Sequence, residues 1–216
     1  FHAERIRIGG GRIVFDLVSP LGNVSDIELG VPVSINIDNG IAACALAQIA
    51  GATPDEIRQG MRTYAGVDRR FDFKIKTDHC VFLSDYAHHP AEIKQSILSL
   101  REVFDGRKIS AIFQPHLYTR TRDFYQDFAD ALSLLDEVIL LDIYPAREQP
   151  IAGVTSQLIF DRLRPDMQRR MAHLQDLPQI AEQEDFDVLV VLGAGDADTY
   201  CPQIADILRA KYHIEA

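Results

Sequence analysis

Four short apolar runs dominate the latter part of the chain: Val81-Phe82-Leu83, Ile109 to Phe113, Val138 to Leu141 and Val188 to Leu192. Each is too short for a helix and apolar at consecutive positions, so both of its faces must be covered, as in a strand inside a parallel sheet. Helical periodicity fills the intervals. Ile93, Ile97, Leu100 and Phe104 mark one face, Phe124, Phe128, Leu132 and Leu135 another, and Ile204, Ile207 and Leu208 the last. Strand–helix alternation at this pitch predicts an α/β fold: an open, doubly wound, mostly parallel sheet flanked by helices.

The first 66 residues have a different texture. Ile6 and Ile8, then Gly9-Gly10-Gly11, then Ile13, Phe15 and Leu17 predict a hairpin over 4–18. An Ala-rich helix follows over 37–50, closed by Gly51. Thr53, Pro54 and Glu56 form a capping box with Pro at the first helical position, Ile57 and Met61 share a face, and Gly66 stands where a C-terminal cap belongs. A strand pair and two helices enclose too little core, so residues 1–66 are expected to be the tail of a larger domain and 67–216 a domain of their own. Ala65 to Phe71, headed by Gly66, suits a hinge.

Charge narrows the function classes. With 32 acidic against 22 basic residues and a net charge of −10, the chain lacks the basic surface that nucleic acid or an anionic membrane requires. Cys44, Cys80 and Cys201 are widely spaced without a CxxC pair, which fits small core residues in the reducing cytoplasm. No apolar stretch approaches the roughly 20 residues of a membrane span. Phe1-His2-Ala3-Glu4-Arg5 reads neither as a signal peptide nor as a natural start, so an upstream segment is expected to have been cut away.

In open α/β sheets, ligands bind beyond the carboxyl ends of the strands. After the first run come Asp85-Tyr86-Ala87-His88-His89-Pro90, and after the second Gln114-Pro115-His116-Leu117-Tyr118-Thr119-Arg120-Thr121-Arg122-Asp123. Asp142 and Tyr144 follow the third, and Gly193-Ala194-Gly195-Asp196 the fourth. Asp85 suits a helix cap as well as a functional carboxylate. His88 and His89 also suit a turn before Pro90, and His116 a hydrogen bond at the core edge. Arg120 and Arg122 near a helix start oppose the macrodipole, which implies that an anion is expected there. The glycine triplet lacks a third glycine and lies on the last unit, so it reads as a tight turn. Asp85, His88, His89 and His116 are also ligand types for a divalent metal, which keeps a metal-dependent hydrolase open, although adjacent His88 and His89 rarely reach one ion. A non-catalytic nucleotide-binding module is the other alternative.

The segments Asp85 to Pro90, Phe113 to His116 with Thr119 to Asp123, and Leu141-Asp142-Ile143-Tyr144-Pro145-Ala146 resemble consecutive signatures of the muramate–alanine ligases of the Mur ligase family. Arg69-Arg70-Phe71-Asp72 resembles the segment joining their central and C-terminal domains, and the agreement runs over about residues 30–200. The resemblance implies a three-domain enzyme: an N-terminal domain for the UDP-sugar, a central ATPase domain, and a C-terminal Rossmann-like domain for the incoming amino acid. No G-x-x-x-x-G-K-[ST] occurs here. The implied reading is therefore the end of the central α/β domain over 1–66 and the whole C-terminal domain over 67–216, inactive by itself. The implied reaction joins L-alanine to UDP-N-acetylmuramate through an acyl phosphate in cytoplasmic peptidoglycan precursor synthesis. ATP and Mg²⁺ would be held mainly by the missing upstream part, and no metal ligand is implied here.

By matching position, the resemblance implies that Asn36 and Asn39 lie in the segment contacting adenine. It implies that Arg70 and Asp85 hold the nucleotide from the C-terminal side, and that His88 approaches the phosphates. His116 and Arg120 would hold the amino acid and its carboxylate, a task suited to the guanidinium fork. Two positions depart from the family pattern: Ile35, where His is frequent, and Leu117, where some members carry a basic residue.

Overall fold

Residues 1–214 are described by the structure, a computed structural model. They form two compact units, one of residues 1–67 with 99–106 and one of residues 68–98 with 107–214.

In the first unit, β1 (His2–Gly9) and β2 (Arg12–Val18) pair antiparallel across Gly10-Gly11, whose φ angles of 58° and 74° suit glycine. The expected hairpin is joined by a strand the sequence did not reveal, β3 (Val24–Glu28), on the far side of β2. Only Val24 and Ile27 of β3 point inward, so it shows no apolar run. Helix α1 (Ile35–Ile49) buries Ile37, Gly40 and Cys44. A Cβ on Gly40 would lie 3.0 Å from Met61 and 3.2 Å from Leu29, so the glycine is what lets α1 sit this close. Gly51, at φ 91°, ends that helix as expected.

Helix α2 (Pro54–Thr63) opens on the expected capping box: the Thr53 hydroxyl accepts from the Glu56 N–H at 3.3 Å, and Glu56 accepts from the Thr53 N–H at 2.7 Å. Its end differs from expectation. Gly66 is not its cap, because Tyr64 already leaves the helix extended at φ −66°, ψ 114°. The Gly30 N–H donates to the Met61 carbonyl at 2.9 Å, so that carbonyl is satisfied from outside the helix.

The second unit is built on six strands: β4 (Asp72–Lys76), β5 (Val81–Asp85), β6 (Ile109–Phe113), β7 (Glu137–Leu141), β8 (Gln168–Ala172) and β9 (Val188–Leu192). Their order is β4-β5-β9-β6-β7-β8, parallel except for β4. The helices are α3 (Pro90–Val103), of which residues 90–98 belong to this unit, α4 (Tyr118–Leu132), α5 (Gln157–Phe160), α6 (Leu177–Gln183) and α7 (Cys201–Tyr212). The four apolar runs are the four inner strands, buried at every residue. The two outer strands escaped the sequence reading because half-covered strands such as Gln168-Arg169-Arg170-Met171-Ala172 carry polar side chains. One face of the sheet packs Phe82, Ile112, Ile139 and Leu189 against Leu177, Ile204 and Leu208.

Burial pushes the Cys44 and Cys80 thiols up to about 11 and Cys201 to about 12, so all three are protonated, inert core groups. Among the described residues no helix is long and apolar enough to cross a membrane.

Candidate active site

The carboxyl edge of the parallel strands is tied together from beneath by Gln114, which is buried after β6. Its Nε2 donates to Asp196 at 2.7 Å, and its Oε1 accepts from the Ala197 N–H at 2.9 Å. The glycine triplet after β9 lies against it. A Cβ on Gly193 would come 2.7 Å from the Gln114 carbonyl oxygen, and one on Gly195 2.1 Å from its Oε1. The triplet is thus a packing turn between two loops, as expected for a plain turn.

Next, the backbone of Pro115 to Leu117 is laced to Tyr144. The Tyr144 N–H donates to the Pro115 carbonyl at 2.8 Å and the Leu117 N–H to the Tyr144 carbonyl at 2.9 Å, extending the β6–β7 pairing past both strands. Leu117 sits at φ 74°, a left-handed conformation costly for a residue with a side chain. Its carbonyl is held in place by the N–H of Thr121 at 3.1 Å and its hydroxyl at 2.9 Å. This strained corner fixes His116, whose ring stacks on Tyr144 at 5.6 Å, and starts α4 so that Arg120 lies one turn beyond.

Arg120 Nη1 lies 3.5 Å from His116 Nδ1. A guanidinium only donates, so Nδ1 accepts and the ring proton resides on Nε2. Burial, then Arg120 and His88, lower the pKa of His116, against a smaller opposing pull from Glu148. The sign follows directly: the folded protein binds this proton less readily than the unfolded chain. His116 therefore costs stability as pH falls below its ordinary range near 6.5. An NMR titration should place its midpoint below that of an unstructured histidine, and Arg120→Ala should move it upward. An unshifted His116 would contradict the arrangement.

Among the described residues no carboxylate forms an ion pair with Arg120, which is half-buried and otherwise approaches only the His88 carbonyl at 3.5 Å. Arg122 behaves differently: it is exposed and pairs with Asp123 at 2.7 Å, so only one of the two expected arginines faces the site. His88 Nδ1 lies 3.0 Å from the Tyr86 carbonyl, which makes it the donor and leaves Nε2 with the lone pair in the neutral ring. The rings of Tyr86, His88, His116 and Tyr144 form a row, with successive centroids 5.2, 6.0 and 5.6 Å apart.

Asp85 is 4% exposed. Its carboxylate accepts from the Ser96 hydroxyl and from the N–H groups of Phe71 and Ala87, while burial pushes its pKa up. Arg70 is exposed and lies over the Tyr86 ring at 5.5 Å, with no ion pair among the described residues. His89 caps α3: its N–H donates to Glu92 at 3.2 Å, and its ring meets Phe124 edge-on at 5.2 Å. Asp85, His88, His89 and His116 are therefore committed to separate local partners. Among the described residues no three His, Cys, Asp or Glu side chains are grouped to hold a metal ion, so the hydrolase reading finds no centre.

In the first unit, Asn36 and Asn39 border a cavity of about 320 Å³ with mostly apolar walls, including Leu29, Val31, Met61 and Tyr64. Asn36 Nδ2 donates to the Val31 carbonyl at 3.1 Å, and Asn39 Nδ2 to Asn36 Oδ1 at 3.2 Å. Ile35 is 68% exposed.

Residues 69–195 match the family model described as Mur ligase, glutamate ligase domain. The chain belongs to the Mur ligase family. Among curated Mur ligases it is 65% identical over 211 residues to the UDP-N-acetylmuramate–L-alanine ligase of Phocaeicola vulgatus, covering 98% of this chain and 46% of that protein. It is 52% identical over 208 residues to the ligase of the same name from Parabacteroides distasonis, covering 96% and 45%. The chain thus spans a little under half the length of the curated relatives it matches. Its fold superposes on the solved UDP-N-acetylmuramate–alanine ligase of Thermotoga maritima with a TM-score of 0.72 at 24% identity, over 98% of this chain and 45% of that one. Folylpolyglutamate synthase from Thermotoga maritima gives 0.69 at 16%, over 91% and 45%.

Several residues that build this Mur ligase site escaped the sequence reading. Glu92, three residues after the α3 cap, carried a readable signal, the acid of a capping box. Gln114 and Tyr144 stood in the segments that were read, but nothing distinguished them as the tie and the stacking platform. Glu148, which accepts from the Thr119 N–H at 3.0 Å, had no signal, because its partner lies 29 residues away.

Proposed function

We propose that this Mur ligase chain is the C-terminal part of a UDP-N-acetylmuramate–L-alanine ligase, acting in the cytoplasm in peptidoglycan precursor synthesis. In that reaction the muramate carboxylate is activated at the expense of ATP, and the amine of L-alanine displaces phosphate from the acyl phosphate to form the amide. The observation that carries the reading is Arg120: a half-buried guanidinium with no carboxylate of its own, beside an imidazole kept neutral, at the sheet edge where α/β folds bind ligands. A cation left unpaired in this way suits an anionic group, and a carboxylate matches its fork. The likeness to ligases named for L-alanine supports assigning that carboxylate to L-alanine.

The roles then divide by position. Arg120 takes the alanine carboxylate and His116 orients it. His88, with its Nε2 lone pair, acts beside the transferring oxygens, where positioned charge and in-line geometry supply most of the catalysis. Arg70 contributes an unpaired positive charge toward the nucleotide, and Asp85 holds the backbone on which Arg70 stands. Asn36 and Asn39 receive adenine at the apolar cavity, where two side-chain amides border a mostly apolar lining. ATP and Mg²⁺ are, on this reading, held mainly by a part of the enzyme upstream of these residues.

Residues 1–66 belong, on this reading, to a larger central domain. In support, Ile35, Leu46 and Ile49 of α1 are 68%, 69% and 67% exposed, large apolar side chains left outside this core. The test is phosphate release by the full-length enzyme with ATP, Mg²⁺, UDP-N-acetylmuramate and each common amino acid. Release should require both the sugar acid and L-alanine and be absent for the 216-residue chain. Release without the sugar acid, or a preference for another amino acid, would overturn the assignment.

A further inference from the structure

We propose that Glu148 is a positioning residue for the amino-acid end of this site, supplying from the segment after β7 the N-terminal cap that α4 lacks. The inference rests on the ligase reading only for what His116 and Arg120 hold.

Helix α4 begins badly by its own sequence. Its N-cap, Leu117, has no side chain able to accept a hydrogen bond, no acid stands in the first turn, and Arg120 adds positive charge where the helix end is already positive. Glu148 reverses each deficit. Its carboxylate accepts from the Thr119 N–H at 3.0 Å and from the Thr119 hydroxyl, and the Tyr118 N–H also turns to it. Its own backbone is pinned by an N–H bond to the Pro145 carbonyl at 2.9 Å, in a turn where Ala146 adopts φ 50°. Those hydrogen bonds, the Thr119 hydroxyl first, hold the Glu148 carboxyl below its ordinary range, so it is ionised throughout the neutral region.

The consequence reaches the site through geometry and through charge. The first turn of α4 links His116 to Arg120, so fraying there lets the guanidinium swing away from the imidazole. Of the charged groups facing His116, Arg120 and His88 disfavour its protonated form, and Glu148 alone opposes them. A glutamine there would keep one carbonyl acceptor for the backbone N–H groups and lose that opposing charge.

Two variants separate these effects. In the 216-residue chain, Glu148→Ala should speed amide exchange at Tyr118 and Thr119 by about fivefold, the equivalent of one lost helix cap. In that variant the lost carboxylate lowers the His116 titration while a departing Arg120 raises it, so the sign is read in the other variant. Glu148→Gln retains a carbonyl acceptor, so it should restore most of the amide protection and leave His116 displaced to lower pH. In the full-length enzyme, Glu148→Ala should raise the KM for L-alanine more than it lowers kcat, with the KM for ATP unchanged. Unaltered exchange and an unaltered His116 in both variants would overturn the proposal. So would equal losses for alanine and ATP while Tyr118 and Thr119 stay protected. Should Glu148→Ala fail to fold, the His116 titration in Glu148→Gln decides. If the parent enzyme shows no alanine-dependent phosphate release, the ligase reading falls, while exchange and titration still judge the cap.

Discussion

Arg120→Ala in the full-length enzyme raises the KM for L-alanine by roughly two orders of magnitude, the usual consequence of removing one partner from a desolvated charge pair. The KM for ATP stays close to its starting value, because Arg70 stacks on Tyr86, Asp85 is satisfied by Ser96 and by backbone, and His88 meets this guanidinium only through its backbone carbonyl at 3.5 Å. Arg120→Lys falls between, since an ammonium keeps the charge and loses the fork that fixes a carboxylate in two places. Steady-state kinetics with each substrate varied in turn checks all three statements. Equal losses for both substrates would place Arg120 on the phosphates and remove the division of labour proposed for it.

The second large effect is on stability. Gly193→Ala destabilises the second unit by about 3 kcal/mol, from a left-handed backbone and an overpacked contact acting together. The position has φ 131°, and its new methyl group would meet the Gln114 carbonyl oxygen at 2.7 Å, a backbone atom that cannot rotate aside. Gly153 is the natural control. It has φ 79° with nothing within 4 Å, so Gly153→Ala incurs the backbone term alone, on the order of 1 kcal/mol. Calorimetry on both variants should show a clearly larger fall in Tm for Gly193→Ala. Equal shifts would mean that the β9 loop yields and that Gln114 does not tie the sheet edge as described.

What the sequence showed and what it hid divide along a physical line. Strands covered on both faces announce themselves, and β5, β6, β7 and β9 were each read to within two residues. Strands covered on one face or at an edge do not, and β3, β4 and β8 were lost among polar residues. Local chemistry was legible at the Thr53 capping box and at Gly51, whose partners lie within a few residues. Gly66 misled because the end of α2 is closed by Gly30, a partner distant in sequence. The site divides the same way. His88, His116 and Arg120 could be picked out because polar and charged side chains after buried strands need a reason to be there. The groups that hold them, Gln114, Tyr144 and Glu148, act across loops joined only by the fold. Arg122 shows the converse: its sequence context matched that of Arg120, and only the helix surface reveals that Asp123 neutralises it.

The strand order has a consequence for how the polypeptide is made. Among the described strands of this sheet β9 is the last to be synthesised, yet it lies between β5 and β6 and is hydrogen-bonded to both. Until residues 188–192 leave the ribosome, those two strands have no common neighbour, and their apolar edges stand open. The second unit is therefore obliged to wait: it cannot consolidate gradually behind the ribosome, but closes late, in one step, when its C-terminal strand arrives. A ribosome stalled shortly before Val188 would hold a nascent chain with its central slot empty, the state in which trigger-type chaperones and proteases have most to grip.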